Sequence, residues 1–151
     1  MTAWIGIGSN LGDRKALIRA ALSALSALGK LEAVSRVRRT KPFGGKVQPD
    51  YINLAARLSS PLSPEALLGK LFSIEESLGR VRTERWGSRT IDLDLLFCDR
   101  LVLDTPRLTL PHPGVAARRF VLEPLCDLDP GYIHPVLGSS LRELLDALTE
   151  G

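Results

Sequence analysis

Gly79-Arg80-Val81-Arg82-Thr83-Glu84-Arg85-Trp86-Gly87-Ser88-Arg89-Thr90-Ile91-Asp92-Leu93-Asp94-Leu95-Leu96-Phe97 runs from a helix stop through a basic loop into a strand. Ile91, Leu93, Leu95 and Phe97 recur every second residue, which predicts a strand over 90–97 with one apolar row. Such a strand, reached from a long amphipathic helix, places the chain among proteins whose helices pack on a sheet. Asp92 and Asp94 project together from the opposite face, roughly 6.5–7 Å apart, with Leu96 and Cys98 continuing that face. Two like charges so close repel, and Asp is depleted from strands. A divalent cation removes that penalty, and carboxylate oxygens suit Mg²⁺, which keeps waters and takes further oxygens from phosphates. Arg80, Arg82, Arg85 and Arg89 supply positive charge for a polyphosphate. Taken separately, the aspartates also read as a solvated strand face and the arginines as a solvated turn partnered by Glu84. Their adjacency is what points to a site.

Working outward, residues 2–8 read as a buried strand, broken by Gly8-Ser9-Asn10-Leu11-Gly12-Asp13 before a helix over 14–28 that Gly29 ends. The segment 31–39 alternates weakly and predicts a second strand. Thr40 to Asp50, with Pro42, Gly44, Gly45 and Pro49, is a loop of roughly ten residues, longer than a plain connection and of a length associated with function. Tyr51–Leu58 predicts a strand. Ser63-Pro64 then opens a helix whose Leu67, Leu68, Leu71, Ile74, Glu75 and Leu78 share a face, with Gly79 closing it. Leu101–Leu103 is expected to pair back after a turn at Cys98-Asp99-Arg100. The tail predicts a helical piece near Val115–Arg119, the apolar run Phe120–Leu125, and a last helix from Ser139 or Ser140 to about Leu148. The order of elements predicts an α+β fold: a ferredoxin-like β-α-β-β-α-β core, its sheet mainly antiparallel, plus a C-terminal extension.

At 151 residues the chain is expected to form a single domain over 1–151. Its 20 basic and 17 acidic residues leave a net charge of only +3, which permits anionic ligands without implying a nucleic-acid surface. This modest charge favours a monomer. Cys98 and Cys126 lie in apolar surroundings without metal-ligand spacing and read as reduced, small core residues. The start Met-Thr-Ala-Trp-Ile-Gly-Ile-Gly lacks a signal-peptide pattern, and no apolar run approaches the roughly 18 residues of a membrane span, so a cytoplasmic protein is expected.

Two familiar phosphate cradles are missing. Gly6-Ile7-Gly8-Ser9-Asn10-Leu11-Gly12 places its third glycine one residue too late for a dinucleotide loop and reads better as a capped strand-to-helix turn. Gly44-Gly45-Lys46 lacks the rest of a P-loop. Phosphates would then be held by side chains and metal. His112, set between Pro111 and Pro113 and near Arg107, Arg118 and Arg119, is a candidate phosphate donor; His134 has no such company. Tyr51 and Asn53 share one strand face, where an aromatic platform and an amide suit a flat heterocycle, and Phe120 is a candidate for its other side. An RNA-binding module would also use the arginines and these aromatics, but it leaves Asp92 and Asp94 without a task.

Together the motifs Gly8-Ser9-Asn10-Leu11-Gly12, Gln48-Pro49-Asp50-Tyr51-Ile52-Asn53, Gly79-Arg80-Val81-Arg82, Arg85-Trp86-Gly87-Ser88-Arg89-Thr90-Ile91-Asp92-Leu93-Asp94 and Pro111-His112 with Arg118 and Phe120 resemble, over nearly the full chain, the family of 6-hydroxymethyl-7,8-dihydropterin pyrophosphokinases. The resemblance implies diphosphate transfer from ATP to a pterin alcohol in folate biosynthesis. It implies that Asp92 and Asp94 hold two Mg²⁺ ions, with Arg82, Arg89, His112 and Arg118 on the phosphates. It assigns Tyr51 and Phe120 to the two faces of the pterin, Thr40 and Asn53 to its edge with main chain near Phe43, and Trp86 to sealing the site. Glu75, Arg85, Leu95, Arg107, Leu108 and Thr109 would complete the nucleotide site. Pro113 stands where some members carry a tyrosine, and Phe72 where a polar residue is usual.

Overall fold

The computed structural model describes residues 1–9, 14–40, 51–81 and 91–148. The elements are β1 (Thr2–Ser9), α1 (Arg14–Ser26), β2 (Lys30–Val34), β3 (Arg38–Thr40), β4 (Tyr51–Ser59), α2 (Pro64–Val81), β5 (Ile91–Cys98), β6 (Leu103–Asp104), β7 (Thr109–Leu110), a 3₁₀ turn (Val115–Ala117), α3 (Arg119–Leu128) and α4 (Leu141–Asp146). The main sheet runs β2-β4-β1-β5, with β3 also beside β4, and every pair is antiparallel. This is the ferredoxin-like order, with the second strand of the motif split into β2 and β3.

Side-chain alternation sorts the core into two layers. Ala3, Ile5, Ile7, Leu54, Ala56, Leu58, Ile91, Leu93 and Leu95 meet the apolar stripes of α1 (Leu17, Ile18, Ala21, Leu25) and α2 (Leu67, Leu71). Trp4, Ala55, Leu96 and Phe97 face the other way and meet Val115, Leu122, Leu125, Leu141 and Leu145. The C-terminal extension thus covers the second face of the sheet. A Cβ at Gly29 would collide with the Ser59 carbonyl oxygen, so only glycine lets α1 turn so closely into β2.

Several boundaries differ from the expectations above. The strand expected over 31–39 is two strands, because buried Ser35 takes over the ladder: its hydroxyl accepts from Ala55 N–H at 2.8 Å and its own N–H donates to Ala55 O at 2.8 Å. The second helix passes Gly79 and ends at Val81; a glycine inside a helix weakens it without stopping it. Leu101–Leu103 does not pair back on β5; Leu103 and Asp104 pair instead with Leu110 and Thr109. Asp99 is tied to the start of β1, its N–H donating to Thr2 O and its carboxylate accepting from Thr2 N–H, both at 2.7 Å. The outer edge of β5 is meanwhile used by His112 N–H, which donates to Leu96 O at 2.9 Å. Phe120–Leu125 is helical, the body of α3. The last helix starts where Ser140 and Glu143 form a reciprocal capping box.

The largest departure lies in β5. Trp4 pairs with Phe97 but Ile5 with Leu95, so Leu96 is an extra residue, a β-bulge. Phe97 therefore leaves the row of Ile91, Leu93 and Leu95 and joins Leu96 on the α3/α4 side, while Cys98 moves into the α1/α2 core. Burial pushes the Cys98 thiol up to about 12, and both cysteines are free.

Phe97, Trp4 and Tyr132 form an aromatic cluster, with Tyr132 4.7 Å from both rings. His134 closes it, its ring 5.7 Å from Phe97, and its Nδ1 accepts from Val136 N–H (3.2 Å) and Leu137 N–H (3.0 Å). Burial holds its pKa below the ordinary 6.5. The unfolded chain therefore binds this proton more readily than the folded one, and the stability due to neutral His134 is complete above pH ~6.5 and falls away as the pH drops below it. Melting curves between pH 7.5 and 5 should show a decline in Tm that is shallower in His134→Gln; parallel declines would assign the loss to other groups.

Candidate active site

The register of three strands sets the geometry. Asp92 lies opposite Gly8 and Asp94 opposite Gly6 on β1. On the other side of β1, Gly8 faces Asn53 and Gly6 faces Ala55 of β4. Beyond β4, Asn53 faces Arg38 and Tyr51 faces Thr40. One face of the sheet thus reads Asp92, Gly8, Asn53, Arg38 in a line across four strands. Between the carboxylate strand and the Tyr51/Asn53 strand, β1 contributes two glycines and no side chain. With strands ~4.8 Å apart, the two candidate half-sites are separated by roughly 9–10 Å, about the width of a small fused ring.

Other groups approach both glycines closely, Gly8 more tightly than Gly6. A Cβ on Gly8 would sit 3.0 Å from Asn53 Oδ1 and 3.9 Å from Tyr51 Cδ1, and one on Gly6 would meet Leu96 Cδ1 at 3.3 Å. The sequence signal for this floor is a Gly-x-Gly inside a strand, which marks close approach of another group.

Asp92 and Asp94 are exposed, and Glu75 of α2 comes to the strand that carries them. Its Oε2 accepts from Leu93 N–H at 2.6 Å, on the outer edge of β5 between the two aspartates. Burial raises the Glu75 pKa, the hydrogen bond from Leu93 pulls it back, and the Asp92 and Asp94 charges push it further up. Among the described residues no group of three or more His, Cys, Asp or Glu could hold a metal ion. Two neighbouring carboxylates without a closed ligand cage suit Mg²⁺, which fills its remaining positions with water and substrate oxygens.

His112 and Arg118 each stand against Gly114, in the turn before α3. His112 Nδ1 accepts from Gly114 N–H at 3.0 Å, so a neutral ring carries its proton on Nε2. The Arg118 guanidinium packs over Gly114, where a Cβ would meet Cζ at 3.1 Å. Phe120, half-buried, is the second residue of α3. Thr109 is exposed in β7 and Arg107 is exposed just before it. Leu95 and Leu108 are buried with the α1/α2 core, so only their main chains can reach a ligand. Phe72 is an exposed residue of α2. Phe43, Arg82, Arg85, Trp86 and Arg89 lie outside the described residues.

Residues 4–130 match the family model described as 7,8-dihydro-6-hydroxymethylpterin-pyrophosphokinase (HPPK). The chain belongs to the HPPK family. It is 44% identical over 146 residues to the 2-amino-4-hydroxy-6-hydroxymethyldihydropteridine pyrophosphokinase of Pseudomonas aeruginosa, covering 95% of this chain and 90% of that one. It is 38% identical to the folic acid synthesis protein fol1 of Pneumocystis carinii, covering 97% of this chain and 20% of the relative. Among solved structures, a Plasmodium falciparum HPPK-DHPS chain superposes with a TM-score of 0.77 at 17% identity, covering 96% of this chain and 45% of that chain. This chain therefore spans less than half of that solved chain, and the superposition speaks for the fold: an antiparallel sheet with helices packed on it. The activity is the family's, that of an ATP-dependent pyrophosphokinase in folate biosynthesis. Members of the HPPK family generally use Mg²⁺. Family membership decides against an RNA-binding module, and no helix among the described residues is long and apolar enough to cross a membrane.

Proposed function

We propose that the pterin lies over Gly6 and Gly8, between Tyr51 and Phe120, and that Asp92 and Asp94 hold two Mg²⁺ ions at the ATP phosphates. The observation that carries this reading is the register: two side-chain-free residues separate the carboxylates from the Tyr51/Asn53 wall. Asn53 and Thr40 hydrogen-bond the edge of the heterocycle, the main chain near Phe43 assists, and Trp86 closes over the site. His112, through Nε2–H, and Arg82, Arg89 and Arg118 donate to phosphate oxygens and take up the negative charge that spreads during transfer. Bound Mg²⁺ neutralises phosphate charge and polarises the phosphoryl group under attack. Glu75 stands beside the nucleotide and steadies β5, with Arg85, Arg107, Thr109 and the main chains of Leu95 and Leu108 around it.

The hydroxymethyl oxygen of the pterin attacks the β-phosphorus of ATP. The new O–P bond forms as the bond from that phosphorus to the oxygen bridging it to the α-phosphorus breaks, AMP leaves, and the hydroxyl proton is released. The residues align the two reactants and no covalent enzyme intermediate is needed. The chain is read as a single pyrophosphokinase domain over 1–151 that acts as a monomer in the cytoplasm. The test is AMP release from ATP, with and without 6-hydroxymethyl-7,8-dihydropterin and with and without Mg²⁺. AMP is expected only when all three are present. AMP formed at the same rate without the pterin would overturn the proposal.

A further inference from the structure

β3 is short and sits at the edge of the sheet, yet it flanks the β4 residues that make the Tyr51/Asn53 wall. Its three residues pair with Tyr51, Ile52 and Asn53 and lead straight into the 41–50 segment. Beyond the ladder to β4, a second hold on this strand comes from α3. Arg38 donates Nη1 to Asp127 Oδ2 and Nη2 to Asp127 Oδ1 (3.0 Å), a bidentate pair. Arg36 N–H donates to the same carboxylate at 3.3 Å, and Arg38 Nε lies 3.9 Å from Glu123 Oε1, one helical turn before Asp127. Glu123 is held in turn by Arg119 Nη1 at 3.4 Å, and Arg119 Nη2 donates to Leu148 O at 3.1 Å. The chain of contacts thus runs from β3 to the first turn of α3, where Arg118 and Phe120 stand. Beside Arg38, the Asp127 carboxyl is held below its usual range.

Single ion pairs at partly exposed positions contribute little to stability, but bidentate Arg–carboxylate pairs in a network fix geometry. The apolar underside of α3, Leu122 and Leu125 packed with Trp4, Ala55 and Phe97, carries its docking energy independently of this pair. Asp127 is therefore placed to set where α3 lies along the sheet while adding little to whether it packs. Because Arg38 is also the cross-strand neighbour of Asn53, its stem borders the amide that lies over Gly8.

We propose that Arg38 and Asp127 are positioning residues: a clamp between β3 and α3 that sets the gap between the Tyr51/Asn53 wall and Phe120, and so tunes affinity for the flat heterocycle. The clamp rests on the pterin reading given above. Its test uses the full chain with Mg²⁺, titrated separately with 6-hydroxymethylpterin and with a non-hydrolysable ATP analogue, for the wild type, Asp127→Ala, Arg38→Met, the double variant and Arg142→Ala. The last removes the exposed Arg142–Asp146 pair on α4 as a control. Each clamp variant should weaken pterin binding roughly tenfold while the ATP analogue stays within about twofold, and the double variant should be no worse than either single one. Asp127→Asn, which keeps the shape and loses the charge, carries the test if Asp127→Ala does not fold. Pterin affinity within twofold of wild type in the clamp variants, or equal losses for pterin and nucleotide, would overturn the clamp while leaving the site reading standing. A wild-type chain that binds no pterin would overturn both.

Discussion

Asp94→Ala should reduce pterin-dependent AMP release by about 10³-fold or more while leaving the fold and pterin binding in place. The expectation follows from where Asp94 sits. Its carboxylate is exposed, its strand neighbours Leu93 and Leu95 point into the α1/α2 core, and its cross-strand partner Gly6 offers nothing that the carboxylate supports. Removing an exposed side chain at such a position changes stability by about 0.5 kcal/mol or less. Activity is another matter, because losing one carboxylate of the pair halves the negative charge that would hold Mg²⁺ beside the phosphates, and with it the alignment of the metal and the phosphoryl group. Asp94→Asn should behave similarly, since the amide keeps the shape and loses the charge. Turnover, thermal melting and pterin titration on the same preparations separate these effects. Turnover within tenfold of wild type would remove Asp94 from the metal site, and a large fall in Tm would mean that the carboxylate is structural.

The sequence carried the period-two pattern of β5 through Leu95 without ambiguity, and with it the paired aspartates and the sheet to which they belong. It did not carry the bulge at Leu96. That extra residue exists because Trp4 and Phe97 are paired on one face while Ile5 and Leu95 are paired on the other, a matter of two strands about ninety residues apart. Ser35 is similar: a serine among exposed arginines gives no sign that its hydroxyl will replace a rung of the ladder to Ala55. The candidate residues were legible as types, but their placement depends on register. Gly6 and Gly8 fall at the end of a predicted strand, but nothing marks them as a floor until β4 and β5 flank them, and Arg38 and Asp127, 89 residues apart, meet only through tertiary packing. Glu75 stood out as a charge on an apolar helix face, and its use follows from the edge of β5, which α2 happens to cover.

The glycine floor supplies the second large expectation: Gly8→Val should weaken pterin binding about a hundredfold while changing affinity for the ATP analogue by about threefold or less. A Cβ at this position already lies 3.0 Å from Asn53 Oδ1, closer than carbon and oxygen tolerate without movement, and 3.8 Å from the Ile52 carbonyl oxygen. The backbone of β4 is fixed by ladders on both sides, so it is the Asn53 amide that must turn away. Valine adds two methyl groups that extend over the floor toward Tyr51 Cδ1, which stands 3.9 Å from the Cβ. The amide that reads the edge of the heterocycle and the space in which the ring would rest are therefore lost together. Because valine favours strands and Gly8 pairs regularly on both sides, β1 itself should form at least as readily. Gly6→Ala gives the matching control: its Cβ meets only the end of the Leu96 side chain, a flexible apolar neighbour at the far end of the floor, so a milder loss is expected. If Gly8→Val bound pterin as wild type does, the ring could not lie against β1, whereas equal losses for pterin and nucleotide would point to a distorted β1 and leave no special place for a ring above it.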